Sequence, residues 1–258
     1  MDNTKSPLNA NKEKVHTIAI MNSKGGSGKT TITTNLANFY ASHDLKTLLV
    51  DHDSQGSSVQ WLKRRSIDST LIEATEAYRQ ANNFTRSWMM RVPLGTQRVL
   101  IDTPAGIDAV QMEQIAKRAD TIIIPVLPSP IDIEAVSDFI RRLCKVVWVK
   151  NKSTRIAVLA NRVRYNTRVY ETLEKYLSSL DIPFVTTLRD TQNYIHASEN
   201  GTGIHDLTKN NAKRDVAQWQ ALLDWIETPE TNNQTESEGH HRKPTIPATA
   251  LHSSVIPI

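Results

Sequence analysis

A single cysteine, Cys144, rules out an internal disulfide in this 258-residue chain and leaves too few thiolates for a metal cluster. Within the segment Phe139 to Val149 it reads as a small buried hydrophobe. No apolar run approaches the roughly 20 residues that span a bilayer. The opening MDNTKSPLNANKEK has neither the apolar stretch nor the cleavage pattern of a secretory signal, so the expected compartment is cytoplasmic. No group of His, Cys, Asp and Glu has zinc-ligand spacing, and His240-His241 falls in a polar stretch that reads as solvated. No serine or cysteine announces itself as a nucleophile.

What is present is ordinary in bulk and specific in detail. The hydrophobic share of 39% and charged share of 22% fit a soluble globular protein. The net charge of +4 is local: Lys150 to Asp215 holds 11 Lys/Arg against 7 Asp/Glu, and the remainder balances at 20 against 20. That excess suggests a polyanionic partner.

Short β-branched apolar runs recur at Val15–Met21, Thr47–Asp51, Arg98–Asp102, Thr121–Val126, Arg155–Ala160 and Pro183–Leu188. Segments with helical spacing separate them, among them Lys29–Ala41, Ile107–Arg118, Ile131–Val149 and Val169–Leu180. Continuous apolar strands alternating with helices predict an α/β fold, a doubly wound and mostly parallel sheet. Residues 1–14 and 228–258 are polar and aperiodic, so they are expected to be a disordered leader and tail around one domain at 15–227.

The strongest motif is Asn22-Ser23-Lys24-Gly25-Gly26-Ser27-Gly28-Lys29-Thr30-Thr31, between an apolar strand and a helix. This is a phosphate-binding P-loop: glycines let backbone N–H groups of Gly25, Gly26, Ser27 and Gly28 converge on phosphate oxygens, and the helix dipole assists. Lys29 can reach the β- and γ-phosphates, Thr30 can ligate Mg2+, and Thr31 can meet the α-phosphate. The general pattern wants glycine at 23, where this chain has serine, and a second lysine, Lys24, opens the loop instead.

The form KGGSGKT resembles the deviant Walker A box of the ParA/MinD family of ATPases, whose extra lysine contacts the nucleotide of the partner subunit. Leu48-Leu49-Val50-Asp51-His52-Asp53-Ser54-Gln55-Gly56 resembles the family's DxDPQG element, with serine replacing proline. By that resemblance Asp53 orients the attacking water and Asp51 supports the metal shell; capping of the helix at Ser57–Arg65 is the competing account. Val99-Leu100-Ile101-Asp102-Thr103-Pro104-Ala105-Gly106 reads as Walker B, with Asp102 facing Mg2+ and N–H groups of Ala105 and Gly106 offered to the γ-phosphate. Asn161, in a strand end similar to the family's "NR", is the candidate for adenine recognition, against a turn-forming asparagine.

Resemblance extends over about residues 15 to 207, including Leu188-Arg189-Asp190-Thr191-Gln192-Asn193-Tyr194. The short segment before Val15 carries no helix-turn-helix, and the ending TALHSSVIPI lacks a membrane-docking amphipathic helix. The resemblance is therefore to the small, ParF-like form and its orphan relatives that position carboxysomes or chemotaxis clusters. It implies an ATP-state homodimer, nucleoid association through nonspecific DNA contacts, a cargo adaptor that stimulates slow hydrolysis, and no membrane contact. Arg162, Arg164, Arg168, Arg189, Lys213 and Arg214 are the expected DNA contacts. The alternative is a metabolic or cofactor-maturation P-loop enzyme that uses ATP to activate a small substrate.

Overall fold

In the computed structural model, seven parallel strands stand in the order β3-β2-β4-β1-β5-β6-β7. Residues 15–80, 92–150, 153–207 and 209–228 are described; the expected leader and, beyond Thr228, the expected tail lie outside them. The strands are β1 His16–Ile20, β2 Thr47–Asp51, β3 Ile72–Glu76, β4 Arg98–Asp102, β5 Thr121–Val126, β6 Arg155–Val163 and β7 Phe184–Arg189. The helices are α1 Lys29–Ser42, α2 Ser57–Lys63, α3 Ala109–Ala116, α4 Pro130–Lys150, α5 Arg168–Ser178, α6 Asn193–Glu199 and α7 Lys209–Glu227.

Side chains alternate across a strand, so each buried strand feeds two cores. Ile18, Ile20, Leu49, Leu100 and Ile123 meet Ile32, Leu36 and Tyr40 of α1 and Trp219, Leu222 and Ile226 of α7. Ala19, Val50, Val99, Ile101, Ile122 and Ile124 meet α3, α4 and α5 through Met112, Ile115, Phe139, Leu143, Leu173 and Leu177. Cys144 is buried in that second core, and burial pushes its thiol up to about 11. It is a packing residue, as its surroundings in the sequence indicate.

All strands run the same way, so every carboxyl end opens onto one edge. The chain passes from β1 outward to β2, returns to β4 beside β1, and then builds the other half from β5. The reversal beside β1 leaves a crevice at the carboxyl edge, where open α/β sheets bind ligands. The paired register sets Asp51 directly opposite Asp102 across β2 and β4.

The opposite edge is closed by a buried ion pair. Arg98 and Glu227 are 0% and 2% exposed and meet at 2.6 Å. Tyr40 donates to the other Glu227 oxygen at 2.8 Å, so the end of α7 is bonded to β4 and α1. Arg155 adds donors to the carbonyls of Trp225, Ile226 and Thr228. Replacing Glu227 by Ala leaves the Arg98 guanidinium buried without its counter-ion. Glu227→Ala is expected to lower unfolding stability by about 3–5 kcal/mol in urea titration.

Candidate nucleotide site

The P-loop begins where β1 ends. Asn22 is buried; its amide donates to the Pro125 carbonyl at 2.6 Å and its Oδ1 accepts from Lys24 N at 3.0 Å, which starts the turn. Gly28 sits at the N-cap of α1 with φ 94°, a left-handed geometry that side chains resist. A Cβ at that position would lie 2.0 Å from Asn161 Nδ2. Asn161 Nδ2 donates to the Ser27 carbonyl at 2.8 Å, so the end of β6 buttresses the loop from the side.

Lys29 is buried, and its ammonium donates to the Lys24 carbonyl at 2.9 Å. Burial lowers its pKa, while the charges of Asp102 and Asp53 oppose that shift. Thr30 and Thr31 follow on the first turn of α1 and, with Gly25, Gly26, Gly28, Lys29, Asp53, Ala105 and Asn161, line a cleft of about 510 Å³.

The three aspartates have different work. Asp102 is fully buried at the end of β4, and neither of its oxygens makes a hydrogen bond of good geometry. Burial pushes its carboxyl up to about 7, against the pull of the Thr30 hydroxyl and Lys29. A buried carboxylate with orphaned oxygens beside a threonine hydroxyl is the donor set a hard divalent cation takes, so Mg2+ fits these residues.

Asp51 was expected to support the metal shell. Its Oδ2 accepts from Ser58 Oγ at 2.7 Å and Val59 N at 3.3 Å, and its Oδ1 from Asp53 N at 2.9 Å. Those bonds tie down the first turn of α2 and shape the Asp53 loop, with Asp51 paired across from Asp102 in the sheet register. Asp53 is half-buried and faces the cleft, held by a bond from Gln55 N to its Oδ1 at 3.0 Å.

The loop after β4 docks on the P-loop. Gly106 N donates to the Ser23 carbonyl at 2.9 Å, and Thr103 Oγ1 donates to the Ile20 carbonyl at 2.7 Å. Ala105 is therefore the residue of this loop that lines the cleft, while the Gly106 N–H expected at the phosphate is already taken.

The six basic candidates divide. Arg162 and Arg189 line the cleft. Arg162 has φ 54° at a register shift of β6, a strained conformation that occurs where the strand end reaches the cleft. Arg189 makes a two-point ion pair with the buried carboxylate of Asp215 on α7. Arg164 pairs with Asp190 at 3.1 Å yet remains 80% exposed. Arg168, Lys213 and Arg214 are exposed, and Arg214 lies over the Tyr165 ring at 5.4 Å.

The far wall is made by Asp190, Thr191, Gln192, Tyr194, Ile195, Ser198 and Glu199. Sequence reasoning had singled out the segment to Tyr194 only as family-like. Its place directly after β7, at the ligand-binding edge of a parallel sheet, was the available signal.

A model of the CobQ/CobB/MinD/ParA nucleotide binding domain matches residues 18–204, spanning the P-loop, the Asp53 loop, Walker B and the far wall. The chain belongs to this family. Among the family's curated relatives, the maintenance of carboxysome distribution protein A of Halothiobacillus neapolitanus is 27% identical over 195 residues, 75% of this chain and 88% of that protein. The protein of the same name from Gloeobacter kilaueensis is 31% identical over 125 residues, 48% of this chain. The match spans only 55% of the Gloeobacter protein's length.

Solved structures in the same fold include a Borrelia burgdorferi plasmid partition protein bound to AMPPNP, with TM-score 0.66, 20% identity and coverage of 82% of this chain and 100% of that one. A Cyanothece McdA variant in complex with ATP aligns with TM-score 0.62 at 14% identity, over 81% of this chain and 96% of that one. The seven-stranded parallel sheet is thus the family's P-loop architecture.

Keeping Asp102 charged in a dry site costs stability, with a definite pH dependence. The folded carboxyl titrates near 7 and the unfolded one near 4, so metal-free protein loses stability as pH rises between those values and gains it as pH falls. Asp102→Asn is expected to raise the metal-free unfolding midpoint at pH 8 by a few kcal/mol equivalent, and this advantage should shrink toward pH 4. The same variant should lose magnesium-dependent nucleotide binding, measured by calorimetry.

Proposed function

We propose that the chain is a Mg-ATP-dependent ATPase that closes into a homodimer, binds nucleoid DNA without sequence preference, and positions or segregates a large cargo. An adaptor on that cargo stimulates its slow hydrolysis. The observation that carries this reading is the placement of the two P-loop lysines. Lys29 lines the cleft of its own chain, whereas Lys24, half-buried one turn earlier, does not. Its backbone carbonyl is fixed by Lys29 Nζ and by Ser27 Oγ at 3.2 Å, so the loop backbone is set at Lys24 while its side chain is left out of the cleft lining. A cation not used by its own cleft can neutralise phosphate charge across an interface between two copies, which makes dimerisation depend on triphosphate.

In this reading the glycine-rich turn and Lys29 bind the phosphates, and Asn161 holds the loop in shape. Thr30 and Asp102 would hold the magnesium ion, which supplies charge neutralisation on the phosphate oxygens. Asp53 orients the attacking water from the cleft side. The Ala105 loop, bonded to Ser23, shifts when the γ-phosphate is lost. The name of the two carboxysome-distribution relatives and the partition role of the Borrelia protein support a positioning task. Arg162, Arg164, Arg168, Lys213 and Arg214 supply the exposed cations for DNA; Arg162 and Arg189 also line the cleft. Among the described residues no helix is long and apolar enough to cross a membrane.

Sedimentation and gel shift with nonspecific duplex test the scheme together. Lys29→Ala is expected to abolish nucleotide binding. Lys24→Ala should keep one nucleotide per chain but stay monomeric with a nonhydrolysable analogue. Asp53→Ala should slow hydrolysis by about 100-fold and remain on DNA as a dimer. Retention in ATP should fall steeply with salt and be lost in ADP. Retention that ignores the nucleotide, with small-molecule turnover instead, would favour the metabolic alternative.

A further inference from the structure

Behind the cleft wall lies a turn, Gly201 to Gly203, that the nucleotide contacts do not use. The chain leaves α6, whose Tyr194, Ile195, Ser198 and Glu199 line the cleft, and enters this turn through Asn200. Gly201 has φ 62°, and a Cβ there would stand 2.4 Å from the backbone nitrogen of Arg65 and 2.5 Å from the carbonyl carbon of Arg64. Both are main-chain atoms just beyond α2, so nothing flexible can yield.

Three donors reach from the end of α2 to this turn and the last turn of α6. Trp61 Nε1 donates to the Thr202 carbonyl, Arg64 Nε to the Ser198 carbonyl, and Arg65 Nη1 to the Gly201 carbonyl, each at 3.1 Å. The same Arg65 nitrogen donates to Asn38 Oδ1 of α1 at 2.6 Å. Asn35 Oδ1, also on α1, accepts from Ile204 N at 2.7 Å. A Cβ on Gly203 would come within 2.6 Å of Asn38 Nδ2.

Three helices therefore meet at one close-packed turn, and the other end of each belongs to the site. Helix α1 begins at Lys29, α2 follows the Asp53 loop, and α6 is the far wall. Helix α2 has only seven residues, about 10 Å, and its first turn is tied to Asp51, so it acts as a short stiff lever.

We propose that Arg65 and Gly201 are positioning residues that, through α2, hold Asp53 in register with a nucleotide seated between the P-loop and α6. This rests on the ATPase reading given above. A displacement of the α6 wall reaches Asp53 by way of the turn, and loss of the Arg65 contacts frees α2 while leaving the phosphate cradle intact.

The test compares wild type with Arg65→Gln, Arg65→Lys and Gly201→Ala in the full chain. It measures nucleotide stoichiometry, KM, kcat, and amide exchange with and without AMPPNP. Arg65→Gln should still bind one nucleotide per chain with KM little changed, while kcat falls about tenfold, because small misplacements of a reacting group are costly. AMPPNP should protect residues 24–31 in both proteins but residues 57–63 only in wild type. Arg65→Lys should recover part of kcat, and Gly201→Ala should resemble Arg65→Gln. Should Gly201→Ala not fold, the half-exposed Arg65 variants decide the matter. Equal protection of residues 57–63 in Arg65→Gln and wild type, or an unchanged kcat, overturns the proposal. Wild-type protein without AMPPNP protection of residues 24–31 would refute the ATPase reading itself, and the positioning role with it.

Discussion

Asp102 sits at the end of a strand buried on both faces, and its carboxylate oxygens are left without partners. A fold can hold such a group only when its surroundings are already fixed by other interactions. Here the parallel ladders do that. Strand β4 is flanked by β1 and β2, which bring the P-loop and the Asp53 loop to the same edge. Lys29 and the Thr30 hydroxyl are close enough to oppose the effect of burial on Asp102. The cost of that buried carboxylate is the counterpart of its fitness for a divalent cation.

The ion pair of Arg98 and Glu227 is a different solution to the same problem at the other end of the same strand. Arg98 is paired with Glu227, and Tyr40 bonds the other carboxylate oxygen. One end of β4 is thus charge-paired and closed, and the other carries an unpaired carboxylate open to ligand. The asymmetry assigns stability to the amino edge of the sheet and chemistry to the carboxyl edge.

Around the cleft, hydrogen bonds hold loops to one another: the side chains of Asn161, Asp51 and Arg65 brace Ser27, the start of α2 and the turn after α6, and the Gly106 backbone is bonded to that of Ser23. Such a shell keeps the few groups that face the nucleotide in fixed relation. Arg189 and Asp215 extend the same shell toward α7, whose exposed Lys213 and Arg214 stand next to the buried aspartate.

Local spacing alone was enough for much of this architecture. Strands β2, β4 and β5 have the boundaries their apolar runs indicate, because strands buried on both faces need unbroken hydrophobic sequence. GGSGKTT, the aspartates and the DTPAG loop declared a P-loop site because backbone approach to phosphate leaves little freedom of residue type. Edge strand β3 was not legible: Glu73 and Glu76, on opposite faces of a five-residue strand, break the apolar pattern. Short α6 lacks the length to show a period. What a residue is for was decided only in three dimensions. The motif resemblance gave Asp53 the water and Asp51 the metal shell, but only the fold shows that Asp51 is bonded to Ser58, Val59 and the Asp53 backbone while Asp53 faces the cleft. Arg162 and Arg189 count as surface cations by sequence, yet the ends of β6 and β7 bring them to the wall of the cleft. Charge and spacing are properties of the chain, but partners depend on which strand ends the sheet brings together.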